Sequence, residues 1–337
     1  MGGDERPPSA PTIEWIRDRA GFAALAAEWS AILPLDARPF DEHPWYLAWW
    51  DSFVGGDGLE VAVARRRGRL AGCLPLGRDG RNLAGLVNRR SPTFRPLAAD
   101  REALDAIAEA AVARGAPELE LQMLPAGDPL IPALEDAAGP AGSRLLSGPR
   151  RDVPLLETGG GFDAWLGGDD GWRRGIADRR RELEGRGARI EVLREDGELD
   201  PAAFSAEPQT ESFYRAVAAA FRQRGELRQS RVELDGEVVA RDLSLLHGNR
   251  LYSLASDAGE LGTVLQLAIV ERCFELGLGG YEPYGAGEEL AARLATGVRE
   301  QVDLRVYPPG LTGALRYRFR RNVRPGLGAA RRLLARR

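Results

Sequence analysis

The sequence contains no lysine, so all 46 basic residues among its 337 are arginine. A Walker-type phosphate loop and Schiff-base chemistry both require a lysine, and both are excluded. Only His43 and His247 are present, and no G-x-S-x-G nucleophile motif accompanies them. We therefore interpret both histidines as structural and predict no metal site.

Cysteine and long apolar runs are equally scarce. Cys73 and Cys273 lie far apart in apolar surroundings, which argues against a disulfide framework. No apolar run approaches the roughly 20 residues that a membrane span needs. The first residues, MGGDERPPSAP, are charged and proline-rich and lack the apolar core of a signal peptide. We expect a disordered tail over residues 1–12 and a cytoplasmic protein.

Acidic residues are absent from the end of the chain. Residues 316–337 hold nine arginines and no acid, so the rest of the chain carries a net charge of −13 when the whole chain carries −4. An acidic body argues against nucleic-acid binding. The basic tail, predicted over residues 313–337, is typical of segments that contact anionic lipid, RNA or an acidic patch of the same protein, and plain solvation is an alternative.

With 44 % hydrophobic residues the chain can bury a sizeable core, and its length predicts two domains. The apolar patterns predict helices over 22–33, 44–53 and 101–115, and strands over 59–66, 69–77 and 118–124. A proline- and glycine-rich segment follows, over 125–151. We place the boundary after it, with domains over 13–155 and 156–312.

The second half repeats the first in outline. RRGRLAGCLPLGRDGRNL (66–83) and LDGEVVARDLSLLHGNRLYSL (234–254) each read as a glycine turn, an apolar strand, a second turn and another strand. The second copy continues into a helix predicted over 264–277 and a strand over 280–285. The fold class expected is α/β (α+β), with two domains whose mixed sheets are mainly antiparallel.

Between the last hairpin and the following helix lies SDAGELGT (256–263), with two glycines and no bulky side chain except a leucine. The N-terminus of a helix presents unpaired N–H groups and a positive dipole, and glycine lets a ligand approach the backbone. Gly259, Gly262 and Thr263 therefore suggest an anion cradle, most often used for phosphate. The alternative is a strand-to-helix turn that only needs flexible residues.

The order of meander, glycine turn, amphipathic helix and strand resembles the core of the GNAT (N-acetyltransferase) superfamily. PWYLAWWDSF followed by LEVAVARRRGRLAGCLPLG, and WRRGIADRRRELEGRGARIEVL (172–193), resemble tandem-GNAT proteins of the cellulose-biosynthesis acetyltransferase (CelD-like) family. The resemblance covers most of residues 22–307. It implies an acyltransferase that uses acetyl-CoA or another acyl-CoA, with the pyrophosphate on the amides of the turn: Gly259, Glu260, Leu261, Gly262 and Thr263.

Acyl transfer from a thioester needs a base for the acceptor, donors for the oxyanion and an acid for the leaving thiolate. The backbone amides of Leu254 and Ala255, in the strand before the turn, are candidate oxyanion donors. Candidate bases are Asp257 and Glu282, and candidate acids are Tyr284 and Tyr252. The structural alternatives are a solvated carboxylate at Glu282 and a sheet-packing aromatic at Tyr252.

The arginine-rich segment 172–193 favours a solvated helix. Arg174–Asp178, Arg180–Glu184 and Glu182–Arg186 are i, i+4 pairs of opposite charge, each stabilising a helix by roughly 0.2–0.5 kcal/mol. Three further arginines of this helix have no acid four residues later and are candidates to bind a phosphate or a sugar acid: Arg173, Arg179 and Arg181.

The sequence also departs from the family pattern. Related proteins often carry a lysine after the strand at GYEPYG, and many GNAT enzymes place an acid tyrosine in the segment that here reads GAGEELAARLATGVREQ. Three hypotheses follow. The first is an acyl-CoA-dependent N- or O-acyltransferase acting on a small-molecule or cell-envelope saccharide or amine. The alternatives are a non-catalytic scaffold in polysaccharide biosynthesis and a Fem-type transferase that uses aminoacyl-tRNA.

Overall fold

The computed structural model describes residues 10–168, 171–196, 200–257 and 259–322. The strands are β1 Thr12–Ile16, β2 Val61–Arg66, β3 Arg69–Leu74, β4 Leu76–Asp79, β5 Asn82–Gly85, β6 Leu97–Ala98, β7 Leu119–Pro125, β8 Arg144–Ser147, β9 Arg151–Glu157, β10 Arg189–Arg194, β11 Leu227–Leu234, β12 Glu237–His247, β13 Arg250–Ser256, β14 Gly280–Glu282 and β15 Gly297–Tyr307.

The helices are α1 Arg19–Ala24, α2 Ala26–Ala31, α3 His43–Phe53, α4 Arg101–Ala113, α5 Leu130–Ala138, α6 Phe162–Gly167, α7 Trp172–Gly185, α8 Pro208–Arg222, α9 Glu260–Glu275, α10 Glu288–Leu294 and α11 Leu311–Asn322. Short 3₁₀ turns occur at Pro39–Asp41, Pro201–Phe204 and Tyr284–Ala286. No helix of the described residues combines the length and the apolar character needed to cross a bilayer.

The chain divides into two compact units, residues 1–151 with 300–337 and residues 152–299. Residues 300–312, which the sequence prediction assigned to the second domain, group with the first unit because β15 pairs there with β7 and β8. The predicted disordered tail over 1–12 differs at its end, since Thr12 already pairs with Arg65 in β1 and β2. Residues 1–9 lie outside the described part of the chain. The predicted basic tail over 313–337 begins inside α11, and its residues from 323 onward also lie outside the described part.

The first unit contains one antiparallel sheet in the order β1-β2-β3-β6 and a mixed group in which β15 pairs with β7, β7 with β5, and β5 with β4. Aromatic side chains dominate its core, because α1 to α3 bury nearly all of their tryptophans and phenylalanines. The largest fully buried side chains of the unit include Phe22, Trp29, Phe40, Trp45, Tyr46, Trp50 and Phe94.

The second unit is built on strands in the order β10-β11-β12-β13-β14-β9. All of these pairs are antiparallel except β13 with β14, which is parallel. The Asp235-Gly236 turn joins β11 to β12 with both residues at positive φ, as the DG signal predicts for a two-residue hairpin. Helix α9 packs on this sheet and buries Val264, Leu265, Ile269 and Val270. The predicted α/β class with mixed, mainly antiparallel sheets is confirmed.

Candidate functional site

Strand β13 carries a bulge in the middle of the second unit. Its partners on β12 run Leu243 with Ala255 and then Ser244 with Ser253, so Leu254 is an extra residue that no β12 residue opposes. A bulge breaks the hydrogen-bond ladder and re-aims the backbone locally. The parallel pairing with β14 reaches only to Tyr252 and Glu282, while β13 continues to Ser256. The backbone that the sequence predicted as an oxyanion donor is thus irregular at Leu254.

The second predicted donor, Ala255, is approached closely by another part of the chain. A Cβ atom built on Gly285 would lie 2.6 Å from the amide nitrogen of Ala255 and 2.7 Å from Oγ of Ser253. The 3₁₀ turn at 284–286 therefore packs against β13 beyond the point where β14 stops pairing. Only glycine fits at position 285.

The glycine turn differs from the prediction, because α9 begins at Glu260 and not at residue 264. Gly259 is the N-cap with φ +93°, a conformation that favours glycine. Gly262 lies inside the first helical turn, where an added Cβ atom would overlap the carbonyl oxygen of Asp257. The chain itself, without any ligand, thus requires glycine at 262.

The first turn of α9 still presents backbone donors. The N–H groups of Glu260, Leu261 and Gly262 belong to the helical positions that have no acceptor four residues earlier within the helix. The amide and the hydroxyl of Thr263, by contrast, both donate to the carbonyl of Gly259, at 3.0 Å and 2.9 Å. Of the five predicted residues, Thr263 thus uses its amide within the helix, and the amides of Gly259 and of residues 260–262 stay predicted donors.

A carboxylate stands at the same helix end. Glu260 forms an ion pair with Arg179 of α7, with 2.6 Å between Oε1 and Nε, and Arg179 also pairs with Glu182. The other two arginines proposed for a phosphate have internal partners as well. Arg181 pairs with Asp178, and Arg173 donates to the carbonyl of Trp165 while its guanidinium stacks on that ring. The solvated-helix interpretation describes α7 better than a phosphate site does.

Glu282 and Tyr284 are brought together. The hydroxyl of Tyr284 donates to Oε2 of Glu282 at 2.5 Å. Glu282 is only 1 % exposed and also meets Arg250 and Arg299, at 3.3 Å and 2.6 Å from Oε1. It is therefore not the solvated carboxylate that was the structural alternative. Tyr284 lies on the 3₁₀ turn rather than on the predicted strand, because β14 ends at Glu282.

Of the two remaining candidates, Tyr252 lies within β13 and Asp257 directly follows that strand. Asp257 accepts the backbone N–H of Arg241 at 2.8 Å through Oδ2, and its own amide donates to the carbonyl of Arg241. This carboxylate thus closes the end of the β12–β13 pairing. Tyr252 is buried in the sheet opposite Leu245 and beside Glu282, which agrees with a packing role.

A buried polar network at the centre of the unit was missed from the sequence. Ser244 and Ser253 donate to Asp242, the latter at 2.5 Å, and Gln266 of α9 donates to Asp242 at 2.9 Å. Gln266 in turn accepts the hydroxyl of Tyr281. Burial raises the pKa of Asp242, and the hydrogen bonds oppose that rise. A lone aspartate inside the apolar strand EVVARDLSLLH was the signal that could have revealed it.

A pocket of about 420 Å³ lies over β11 and β12, and Phe204, Arg231 and Arg241 are among the residues that line it. Arg231 and Arg241 are directly opposed cross-strand partners, an arrangement that is unfavourable for two like charges. The ring of Phe204 contacts Tyr214, whose hydroxyl donates to the carbonyl of Leu254 at 3.4 Å. The pocket and the bulge are therefore linked through Tyr214.

One segment of the chain matches a known protein family. Residues 170–290 match the family described as Acetyltransferase (GNAT) domain, which covers the bulge, the first turn of α9 and the Glu282–Tyr284 pair. The chain thus carries a GNAT-type acyltransferase domain. No curated protein sequence matches it significantly. The finer resemblance to the CelD-like family stays a prediction.

Solved structures resemble this chain over most of its length. The C-terminal domain of a putative lysylphosphatidylglycerol synthetase from Agrobacterium fabrum has a TM-score of 0.52 at 13 % identity, covering 85 % of this chain and 92 % of that one. L-PGS from Bacillus licheniformis has 0.51 at 9 %, covering 87 % and 96 %. FemX has 0.51 at 12 %, covering 90 % and 98 %. At these identities the likeness concerns the fold alone.

Proposed function

We propose that the protein transfers an acyl group from acetyl-CoA or another acyl-CoA to an amine or hydroxyl of a small-molecule or cell-envelope saccharide acceptor. The observation that carries the proposal is the succession of the Leu254 bulge and the N-terminus of α9 on one continuous stretch of chain. The bulge offers a re-aimed backbone for the thioester carbonyl. The amides of residues 260–262 offer donors for the pyrophosphate.

The chemistry assigned to the residues is simple. The acceptor nitrogen or oxygen attacks the thioester carbon, the new bond forms, and the carbon–sulfur bond breaks. The hydroxyl of Tyr284 gives its proton to the leaving thiolate, the acceptor proton passes to water, and Tyr284 regains a proton from that water. Glu282 acts as a positioning residue that holds this hydroxyl. Ion pairs to Arg250 and Arg299 fix its carboxylate in place.

The acceptor is assigned to the pocket over β11 and β12. Its volume of about 420 Å³ suits a small molecule or one sugar unit with its substituents. Arg241 lines this pocket, and its guanidinium forms no hydrogen bond or ion pair with a side chain of the described residues. The basic C-terminal segment is proposed to contact an anionic membrane.

A second candidate is aminoacyl transfer from a charged tRNA, the reaction of the Fem class. It is favoured by the fold shared with FemX across 98 % of that chain, and by the finding that Gly262 serves the turn itself. Titration calorimetry of the full-length protein with acetyl-CoA, longer acyl-CoAs and free CoA separates the candidates. Micromolar binding of CoA species supports acyl-CoA as donor. The absence of any CoA binding would refute it, and turnover with a charged tRNA would then favour the second candidate.

A further inference from the structure

Helix α11 exposes three large apolar side chains on one face. Leu311, Leu315 and Phe319 are 79 %, 59 % and 55 % exposed, and their four-residue spacing places them in one stripe along the helix. Four other large apolar side chains are exposed in the described residues, and they are scattered along the chain. A contiguous apolar stripe of this kind marks a contact surface.

The rest of the helix is fixed to the first unit. The ring of Tyr317 meets that of Tyr307 edge-on, at 6.1 Å between centroids. Gly313 is buried against Pro308 so closely that a Cβ atom there would overlap the carbonyl oxygen of Pro308. Arg320 forms an ion pair with the buried Glu118 at 3.4 Å. These contacts fix α11 to the first unit, and the apolar stripe remains exposed to solvent.

Positive charge surrounds the stripe. Arg316 and Arg318 are exposed in the same helix, and the sequence after residue 322 adds five more arginines and no acidic residue. An exposed apolar face flanked by arginines is the pattern of helices that lie in the interface of a membrane.

An arginine-lined pocket lies beside this helix. It measures about 230 Å³ and is lined by Arg78, Arg81 and Arg114 together with the glycines of two turns. The side chain of Asn82, next to Arg81, accepts a hydrogen bond from Arg316 of α11 at 3.3 Å, which joins the pocket to the helix.

The charges of this pocket are not balanced. Arg78 and Arg114 both hydrogen-bond to the buried Glu60, and Arg17 lies 3.6 Å from the same carboxylate. Burial raises the pKa of Glu60, but the arginines outweigh burial and the net pKa is lowered, so this carboxylate stays charged. The single negative charge of Glu60 is thus shared by three arginines. Arg81 adds a fourth cation that forms no hydrogen bond or ion pair with the described residues.

We propose that α11 and this arginine pocket form a docking surface for a membrane that contains anionic phospholipid. Leu311, Leu315 and Phe319 insert among the headgroups, and the pocket takes a lipid phosphate. This inference rests on the proposed membrane contact and not on the acyl-transfer chemistry.

Other occupants use only part of the surface. A second copy of the chain would cover the apolar stripe but would bring two arginine-rich surfaces together. An RNA would neutralise the arginines but would leave leucine and phenylalanine against phosphates. An anionic bilayer satisfies both the apolar and the cationic parts.

Binding of the full-length protein to vesicles tests the proposal. The probes are phosphatidylcholine vesicles with and without phosphatidylglycerol, and the readout is co-sedimentation. We expect binding at least about tenfold tighter with phosphatidylglycerol. Leu315→Gln with Phe319→Gln should weaken it about tenfold or more, and Arg81→Gln about fivefold. Leu35→Gln and Arg69→Gln, which alter exposed residues of the first unit outside α11 and the strand packed on it, are the matched controls and should change nothing.

Several outcomes would overturn the proposal. Equal binding to neutral vesicles, or stripe variants that bind like the controls, would do so. A variant lacking residues 323–337 should keep phosphatidylglycerol binding that still depends on Phe319. If that truncation abolishes binding while the stripe variants are inert, the distal segment is the anchor. Concentration-dependent dimerisation that the stripe variants remove, or tRNA binding without vesicle binding, would assign the surface to a second copy or to RNA.

Discussion

Gly262 lies in the first turn of α9 directly under the carbonyl oxygen of Asp257, so that a side chain at 262 has no room. The carbonyl belongs to the residue that closes the β12–β13 pairing. The turn and the helix are therefore locked to each other by the lack of a Cβ atom. A glycine that the sequence suggested for ligand approach turns out to serve the packing of the backbone.

Gly262→Ala should consequently destabilise the protein even without any ligand. Relief of the overlap requires a backbone shift, which typically costs about 1–3 kcal/mol and occasionally more. Chemical denaturation of the full-length protein measures this loss. Gly175→Ala is the matched control, because Gly175 lies in helix α7 with open space around it. That control should stabilise the protein by roughly 0.5–1 kcal/mol. Equal stabilities of the two variants would contradict the packing assignment.

Substitutions at position 260 distinguish the contribution of the backbone N–H group to CoA binding from that of the side-chain charge. Proline at the first helical position keeps the helix but removes the N–H group. Glu260→Gln should tighten CoA binding severalfold, because it removes a carboxylate beside the phosphates and releases Arg179 from one of its two partners. Glu260→Pro should bind CoA about tenfold more weakly than Glu260→Gln, since a charge-assisted hydrogen bond of about 1.5 kcal/mol is lost. Calorimetry measures both, and identical affinities of the two variants would place the phosphates elsewhere.

The sequence revealed the order of elements but not their ends. The apolar pattern that predicted the helix over 264–277 starts at Val264, because the first turn of α9 consists mainly of polar and small residues. Helical periodicity cannot detect a turn that has almost no apolar face. The strand predicted over 280–285 ends at Glu282 for a related reason, since Pro283 has no N–H group to continue a ladder.

The sequence alone could not predict which residues contact the side chains of the site. Glu282 was selected as a carboxylate at a strand end, but its two arginines come from residues 250 and 299, which only the folded sheet brings to it. The Asp242 network likewise unites β12, β13 and α9. Local motifs identify one member of such a cluster, and tertiary packing supplies the others.

Tyr284→Phe tests the assigned acid. Loss of the hydroxyl should lower kcat about 10²-fold or more, as expected for a proton donor, and leave CoA affinity within about twofold, since the hydroxyl bonds to Glu282. Thiol release from acetyl-CoA in the presence of an acceptor measures kcat. A variant with unchanged kcat would remove Tyr284 from the mechanism.

The main expected effect of Glu282→Gln is a loss of stability. It leaves Arg250 and Arg299 facing a buried neutral amide, and removal of one partner of a buried ion pair costs about 3–5 kcal/mol. Part of that cost is offset because Arg250 keeps two hydrogen bonds to Glu157. Arg299→Gln is the matched comparison, with a smaller expected loss, because Arg299 is more exposed and Glu282 keeps Arg250 and Tyr284. Equal losses in thermal or chemical denaturation would show that the charge of Glu282 is not what the fold depends on.

The raised pKa of Asp128 in the first unit predicts that the stability of the protein depends on pH. Burial raises its pKa to about 6, against an ordinary value of 3.8, although the amide of Leu130 donates to it and Arg95 lies 3.7 Å away. The folded state thus binds the proton more tightly than the unfolded state. The stabilisation from this proton is complete below pH 3.8 and is lost as the pH rises through 6.

Asp128→Asn removes the titration and keeps an oxygen for the amide of Leu130. Between pH 7.5 and pH 5, Asp128 should add about 1 kcal/mol to the unfolding free energy of the natural protein, out of about 3 kcal/mol at lower pH. The variant should lack this gain, so the difference between the two proteins should move by that amount in favour of the natural one as the pH falls. Urea denaturation at both pH values measures it. Parallel pH curves for the two proteins would mean that the Asp128 carboxyl is already ionised at pH 5 in the folded state, with Arg95 outweighing burial.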